Sequence, residues 1–246
     1  MAIYIPCEPR SEDWFRLKLG VPSASEFHRI VTPTGKISSQ AEGYAHRLLA
    51  ELMLGKQMDS VETEWMQRGT DLEGQAIDAY EFHRGVETDR GGFVLVDDRT
   101  YGCSPDRLVG KDGLCEFKCP APNTMIGYLL DPSSVESEKK PQVQGQMLVC
   151  EREFVDLVAF HPEMPIVVRR VKRDEKYLGT LKTALETFVQ QLAMMREKLE
   201  REHGPFRPLT QDAPPDDEDP LGFDVTPEDI SQMLERGVST VTEGKR

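Results

Sequence analysis

The chain has no apolar run of 18 or more residues, so no helical membrane span is expected. Its opening stretch, MAIYIPCEPRSEDW, has no basic segment leading into an apolar core, so no secretory signal is expected either. Cysteine is scarce and odd in number. Cys7, Cys103, Cys115, Cys119 and Cys150 do not space out as a disulfide framework for 246 residues, nor as the early cysteine and late trio of an iron–sulfur nuclease; they read as reduced thiols in a cytoplasm. The five histidines (His28, His46, His83, His161 and His203) form no i, i+4 pair and no metal-ligand spacing, so each reads as structural or solvent-facing. No internal repeat is found. Positive charge is also short: the net charge of −13 argues at first against a nucleic-acid partner. Much of the excess is local, however, because Pro205–Arg246 holds ten acids against four bases. An acidic body still accommodates DNA when bases line one groove and cations cover the carboxylates at its floor.

What is present reads as one α/β domain, residues 1–204, followed by an extension, 205–246. Helices are predicted from Ser11 to Leu19, around SASEFHRIV, from Ser39 to Leu54 with a stop at Gly55, and from Glu62 to Arg84. Three strands follow, GGFVLVDD, TYGCSPDRLVG and GLCEFKCP, with turns at Asp97–Asp98 and Gly110–Gly113. A loop or short helix over Pro122–Leu130 precedes a helix from about Glu138 to Cys150, the strands EFVDLVAF and PIVVRRV, and a long helix from Asp174 to about Arg201. That order implies a central mixed β-sheet flanked by helices. Gly204 to Pro220 is a linker rich in Pro and Asp, and TPEDISQMLERG beyond it is a capped amphipathic segment with Ile230, Met233 and Leu234 on one side.

The chemistry concentrates in CSPDRLVGKDGLCEFKCP, residues 103–120. On a strand, Glu116 and Lys118 share one face while Cys115 and Phe117 share the other. Asp106, ending the neighbouring strand, would bring its carboxylate toward Glu116. Two clustered carboxylates repel unless a cation lies between them, and all-oxygen ligation selects a hard ion such as Mg²⁺ or Mn²⁺. Lys118 beside such an ion would orient a water and lose its proton more readily than a free lysine. On the helix before, Glu73 falls on the inner stripe formed by Trp65, Gly69, Leu72, Ala76, Ile77 and Tyr80, where an acid is out of place in a plain core helix. On spacing alone, a solvated hairpin with a surface ion pair explains the Glu-Phe-Lys triplet equally well.

The pattern SPD, nine residues, EFK resembles the PD-(D/E)XK nuclease motif, and its context resembles the phage lambda exonuclease type, the YqaJ-like viral recombinase nucleases. WFRLKLGVPSASEFHRIV is similar to that family's N-terminal signature, RGTDLEGQAIDAYEF to its glutamate-bearing helix, PQVQGQML to its glutamine motif and KRDEKYL to the start of its long helix. The likeness covers residues 10–200, with the motifs in family order. It implies a restriction-endonuclease-like core with metal ligands at Asp106, Glu116 and the Phe117 carbonyl, and with Lys118, Glu73 and Gln142 as catalytic groups. It implies DNA contacts from Arg16, Lys18, Ser25 and Gln144, the N-terminal three holding a terminal 5′-phosphate. Lys18 stands where relatives tend to carry arginine, and lysine cannot make the planar two-pronged contact. The activity implied is 5′→3′ digestion of linear duplex DNA with Mg²⁺ (Mn²⁺ as substitute, two ions per site), leaving 3′ single strands. A homotrimeric ring and a single-strand annealing recombinase partner, in a bacterial host cytoplasm, complete the expectation. The rivals are an endonuclease of restriction or repair type and a catalytically silent DNA-binding subunit.

Overall fold

A computed structural model describes residues 1–58 and 64–206, leaving aside the side chains of 64–67, 69 and 70. The linker from residue 207 on, the TPEDISQMLERG segment and the Trp65 side chain therefore lie outside the described residues. In chain order the elements are β1 (Ile3–Ile5), α1 (Glu12–Lys18), a 3₁₀ turn (Ala24–Arg29), α2 (Ala41–Leu54), α3 (Glu64–Arg84), β2 (Asp89–Arg90), β3 (Phe93–Leu95), β4 (Gly102–Cys103), β5 (Arg107–Val109), β6 (Gly113–Lys118), α4 (Pro122–Leu130), α5 (Pro132–Cys150), β7 (Phe154–Ala159), β8 (Val167–Lys172) and α6 (Glu175–His203).

The main sheet has five strands in the order β2-β5-β6-β7-β8. Only β6 and β7 run parallel, so the sheet is mixed, as expected from the sequence. A parallel pair needs a crossover, and here it carries α4 and α5. Side chains alternate across the sheet. On one face Leu114, Leu157 and Ala159 join the main core with Val143 and Met147 of α5. On the other, Cys115, Phe117 and Val158 pack beneath Ala76 and Tyr80 of α3. Glu116 and Lys118 thus face α5, with α3 behind the sheet.

The stretch TYGCSPDRLVG is not one strand. It divides into β4, which pairs with β3 in a separate sheet of order β1-β3-β4, and β5, which pairs with β6. Proline is the cause: Pro105 has no N–H to give a ladder, and the Ser104 hydroxyl turns aside to donate to the Gly92 carbonyl at 2.8 Å. The chain changes sheets at Ser104–Pro105–Asp106, so Asp106 stands in the gap between them. Two short strands, β1 and β2, were not expected, and α5 begins six residues earlier than the predicted Glu138. Asp131 caps it, accepting from the Ser133 N–H, and Pro132 starts the first turn. Pro141 lies inside the helix. At the other end Phe206, assigned by sequence to the linker, is 2% exposed and belongs to the main core, so the body extends past residue 204.

The 3₁₀ turn seats directly on α5. A methyl group at Gly145 would lie 2.4 Å from the Phe27 ring, and Phe27 is fully buried. Replacing a helical glycine by alanine ordinarily gains up to about 1 kcal/mol, while overpacking a tight core costs about 1–3 kcal/mol. Gly145→Ala is therefore expected to lower stability by up to about 2 kcal/mol in urea unfolding. Gly43→Ala, whose methyl meets nothing within 4 Å, should be neutral or stabilising. Equal effects at the two sites would show that the turn does not press on α5.

Candidate active site

Glu116 is 3% exposed, and a carboxylate that deep must be satisfied. It is met by three donors. Lys118 Nζ lies 2.6 Å from Oε1, Gln142 Nε2 2.6 Å from Oε1, and Gln146 Nε2 2.5 Å from Oε2. Lys118 comes from two residues along the same strand; the glutamines come from adjacent turns of α5, four residues apart and hence on one helix face. Gln146 is itself buried, and its Oε1 has no partner among the described residues. A buried acceptor of that kind marks a place for water or another donor at the site.

Asp106 approaches from the other edge of β6. Beyond Cys115, β6 has no partner on β5, and Asp106 Oδ2 takes the Phe117 N–H at 2.7 Å instead. In an extended strand the carbonyl of a residue projects to the same edge as its N–H, so the Phe117 carbonyl faces the Asp106 side. Burial, and then the charge of Glu116, push the Asp106 carboxyl well above the ordinary carboxylate range; Lys118 and the Phe117 N–H oppose this, and Glu73 on α3 adds a weaker repulsion. The easy proton loss expected of Lys118 concerns a site with a cation bound; without one the balance runs the other way. Burial works to lower it, but Glu116 and Asp106 together hold it above the ordinary lysine value. The Asp106 and Glu116 carboxyls, beside a backbone carbonyl, are a donor set suited to a hard divalent cation that keeps much of its water. Among the described residues no group of three or more His, Cys, Asp or Glu side chains is placed to hold a metal ion, so Asp106 and Glu116 are two carboxyls and not part of a larger cluster.

The remaining expected residues divide. Lys18 sits 3.9 Å above the Trp14 ring, and burial pushes its ammonium down to about 8, against the pull of Glu26 and Glu51. Trp14 Nε1 in turn donates to Ser104 Oγ at 3.0 Å, which ties α1 to the segment carrying Asp106. Arg16 and Ser25 are exposed, Ser25 on the 3₁₀ turn that packs on α5. Gln144 departs from expectation. It is 2% exposed, donates to the Lys172 carbonyl at 2.9 Å and accepts the Asp174 N–H at 3.0 Å, so it joins α5 to the start of α6 and is turned away from the surface. The DNA contact assigned to it is corrected on that ground. Gln146 is the residue that sequence reading passed over; its signal was the four-residue spacing from Gln142. The cysteines are all free thiols.

Taken with the sheet and its flanking helices, this site defines a PD-(D/E)XK nuclease fold. The comparisons carry the assignment further. Residues 13–153 match the YqaJ-like viral recombinase domain, more than half of the chain. The crystal structure of LHK-Exo in complex with dAMP is 30% identical, with 78% of this chain and 97% of that one covered and a TM-score of 0.71. A second structure of that alkaline exonuclease, from Laribacter hongkongensis, is 29% identical over the same shares, with a TM-score of 0.67. A phage-related exonuclease from Haemophilus somnus 129PT shares the fold at 16% identity and a TM-score of 0.55, over 71% of this chain and 96% of that one. The curated proteins give no match. The chain belongs to the YqaJ-like viral recombinase family.

The raised Asp106 carboxyl has a measurable consequence. A carboxyl raised in the folded state stabilises the fold at low pH and loses that contribution as pH climbs from about 4 through the raised value. Without divalent ions at pH 8, Asp106→Asn is expected to melt higher than the wild type, since asparagine removes the repulsion and still accepts the Phe117 N–H. Each kcal/mol corresponds to about 2–4 °C for a domain of this size. Added Mg²⁺ should raise the wild type and leave the variant unmoved. A less stable variant that gains as much from Mg²⁺ as the wild type would contradict the cation site.

Proposed function

We propose that the protein is a divalent-metal-dependent exonuclease that digests one strand of linear duplex DNA from a 5′-phosphorylated end, releases mononucleotides and leaves a 3′ single strand. The observation that carries this reading is the convergence of Lys118, Gln142 and Gln146 on Glu116, next to Asp106. LHK-Exo, in a structure with dAMP, belongs to a protein named as an exonuclease, which supports mononucleotide release here.

Asp106, Glu116 and the Phe117 carbonyl would hold Mg²⁺, with Mn²⁺ as a substitute and two ions per site. Such an ion polarises the phosphate and eases ionisation of water. Lys118 orients the attacking water and places positive charge where the phosphorane-like transition state gathers negative charge. Gln142 holds the water or a phosphate oxygen by its amide, and Glu73 supports the network from α3. Arg16, Lys18 and Ser25 receive the 5′-phosphate; Trp14, bonded to Ser104, holds that receptor at a fixed offset from the acids. A homotrimer encircling the duplex and a single-strand annealing partner for the product strand fit the same chemistry, since a closed ring does not release its track between cuts. The body reaches Phe206, and the extension beyond it is read as dispensable for cutting.

The test is one assay with controls. Linear 5′-phosphorylated duplex should be degraded with Mg²⁺ and spared with chelator, while covalently closed circles remain intact. Lys118→Ala should lower the rate by about a hundredfold or more while duplex binding persists. Cleavage of closed circles would replace the exonuclease with an endonuclease, and Lys118→Ala turnover near wild type would remove Lys118 from the chemistry.

A further inference from the structure

Asp156 is fully buried on β7, on the sheet face covered by α3, and its neighbours there are Tyr80, Cys115, Phe117 and Val158. A carboxylate in such a cluster needs partners, and it has them on two sides. Arg170, its cross-strand partner on β8, bonds both oxygens, with Nε 2.8 Å from Oδ1 and Nη2 2.7 Å from Oδ2. From α3, the Tyr80 hydroxyl donates to Oδ2 at 2.7 Å and Arg84 Nη2 stands 3.5 Å from it. Tyr80 and Arg84 are four residues apart, so one carboxylate ties two successive turns of α3 to the sheet. The Tyr80 ring also meets Phe117 edge-on, with centroids 5.8 Å apart, and Phe117 lies between Glu116 and Lys118.

Stability alone is a poor reason for this arrangement. A buried ion pair adds little compared with apolar residues of equal volume, whereas fixing register is the best-attested use of such a pair. The register at stake is that of α3. Glu73 lies seven residues before Tyr80, two turns along the same face and about 10 Å up the axis. Over that span a helix moves as a rod, so any slip or rotation at Tyr80 is delivered to Glu73. We propose that Asp156 is a positioning residue: by tying Tyr80 and Arg84 to the sheet, it holds Glu73 at the acid site and thereby tunes the metal affinity of the Asp106–Glu116 pair. This rests on the reading above that Glu73 supports the metal and water network.

The experiment is a double-mutant cycle on the full chain, comparing wild type, Asp156→Asn, Glu73→Gln and the double variant, with Tyr80→Phe in both Glu73 backgrounds. Mn²⁺ affinity is read by calorimetry, and kcat and KM on linear duplex separately. Asp156→Asn and Tyr80→Phe are expected to weaken Mn²⁺ binding by about tenfold and to lower kcat with KM for DNA little changed, the usual scale for a group that orients a metal-site residue. Once Glu73 is glutamine, the same changes should cost no more than about twofold further. Equal losses in both backgrounds, or unchanged Mn²⁺ affinity alongside a lower melting temperature, would overturn the proposal and leave Asp156 as a structural ion pair. If Asp156→Asn does not fold, Tyr80→Phe, which keeps the ring on Phe117, completes the comparison by itself. A wild type that neither binds Mn²⁺ nor cuts DNA sinks the nuclease reading as well; an active wild type without coupling sinks only the role of Asp156.

Discussion

The site depends on the burial of one carboxylate, Glu116, among three amide or ammonium donors. Leaving that group unpaired at 3% exposure would cost several kcal/mol, so strand β6 and helix α5 can meet in only one relative rotation. Everything next to that contact follows from it. Gln142 and Gln146 must point at the sheet; Gln144, between them, must point away, and it is used to anchor the junction of β8 and α6. Gly145 then lies about 60° around the helix from Gln142, where its bare backbone admits Phe27 and Ala24 of the 3₁₀ turn that carries Ser25.

The second constraint is the break at Pro105. By ending one strand and starting another in a different sheet, it frees Asp106 from ladder pairing and lets its carboxylate take a backbone N–H that would otherwise be orphaned at Phe117. The outcome is a pair of acids facing each other across a strand edge, a costly arrangement for the fold on its own and a favourable one for a divalent cation. Stability is given up where chemistry needs it, while the uncharged bulk of both sheet faces makes up the difference.

Much of this was legible in the sequence, for identifiable reasons. Strand alternation assigned Glu116 and Lys118 to one face, and helical spacing exposed Glu73 as an acid on an inner stripe. The mixed sheet followed from the order of elements. Other features were hidden by competing physics. The three-residue β1 and two-residue β2 are too short for any periodicity. The first six residues of α5 lie before an interior proline, Pro141, where a helix ordinarily breaks. Gln142 and Gln144 were both assigned to the site, yet two residues on a helix is about half a turn; the residue that shares the face of Gln142 is four residues on, Gln146. The ease of proton loss expected of Lys118 concerns a site holding a cation; without one, both neighbouring carboxylates act on it together and raise it. Asp156 gave no signal within EFVDLVAF, since its partners Tyr80 and Arg84 lie more than seventy residues upstream.

The central claim is that Asp106 and Glu116 form a cation site from which Lys118 and the glutamines arrange the reacting water. Anomalous diffraction from crystals grown with Mn²⁺ tests it most directly. The account predicts an anomalous peak at the Asp106 and Glu116 carboxylates, beside the Phe117 carbonyl. Strong Mn²⁺ density elsewhere in the chain, with Glu116 still held only by Lys118, Gln142 and Gln146, would contradict it.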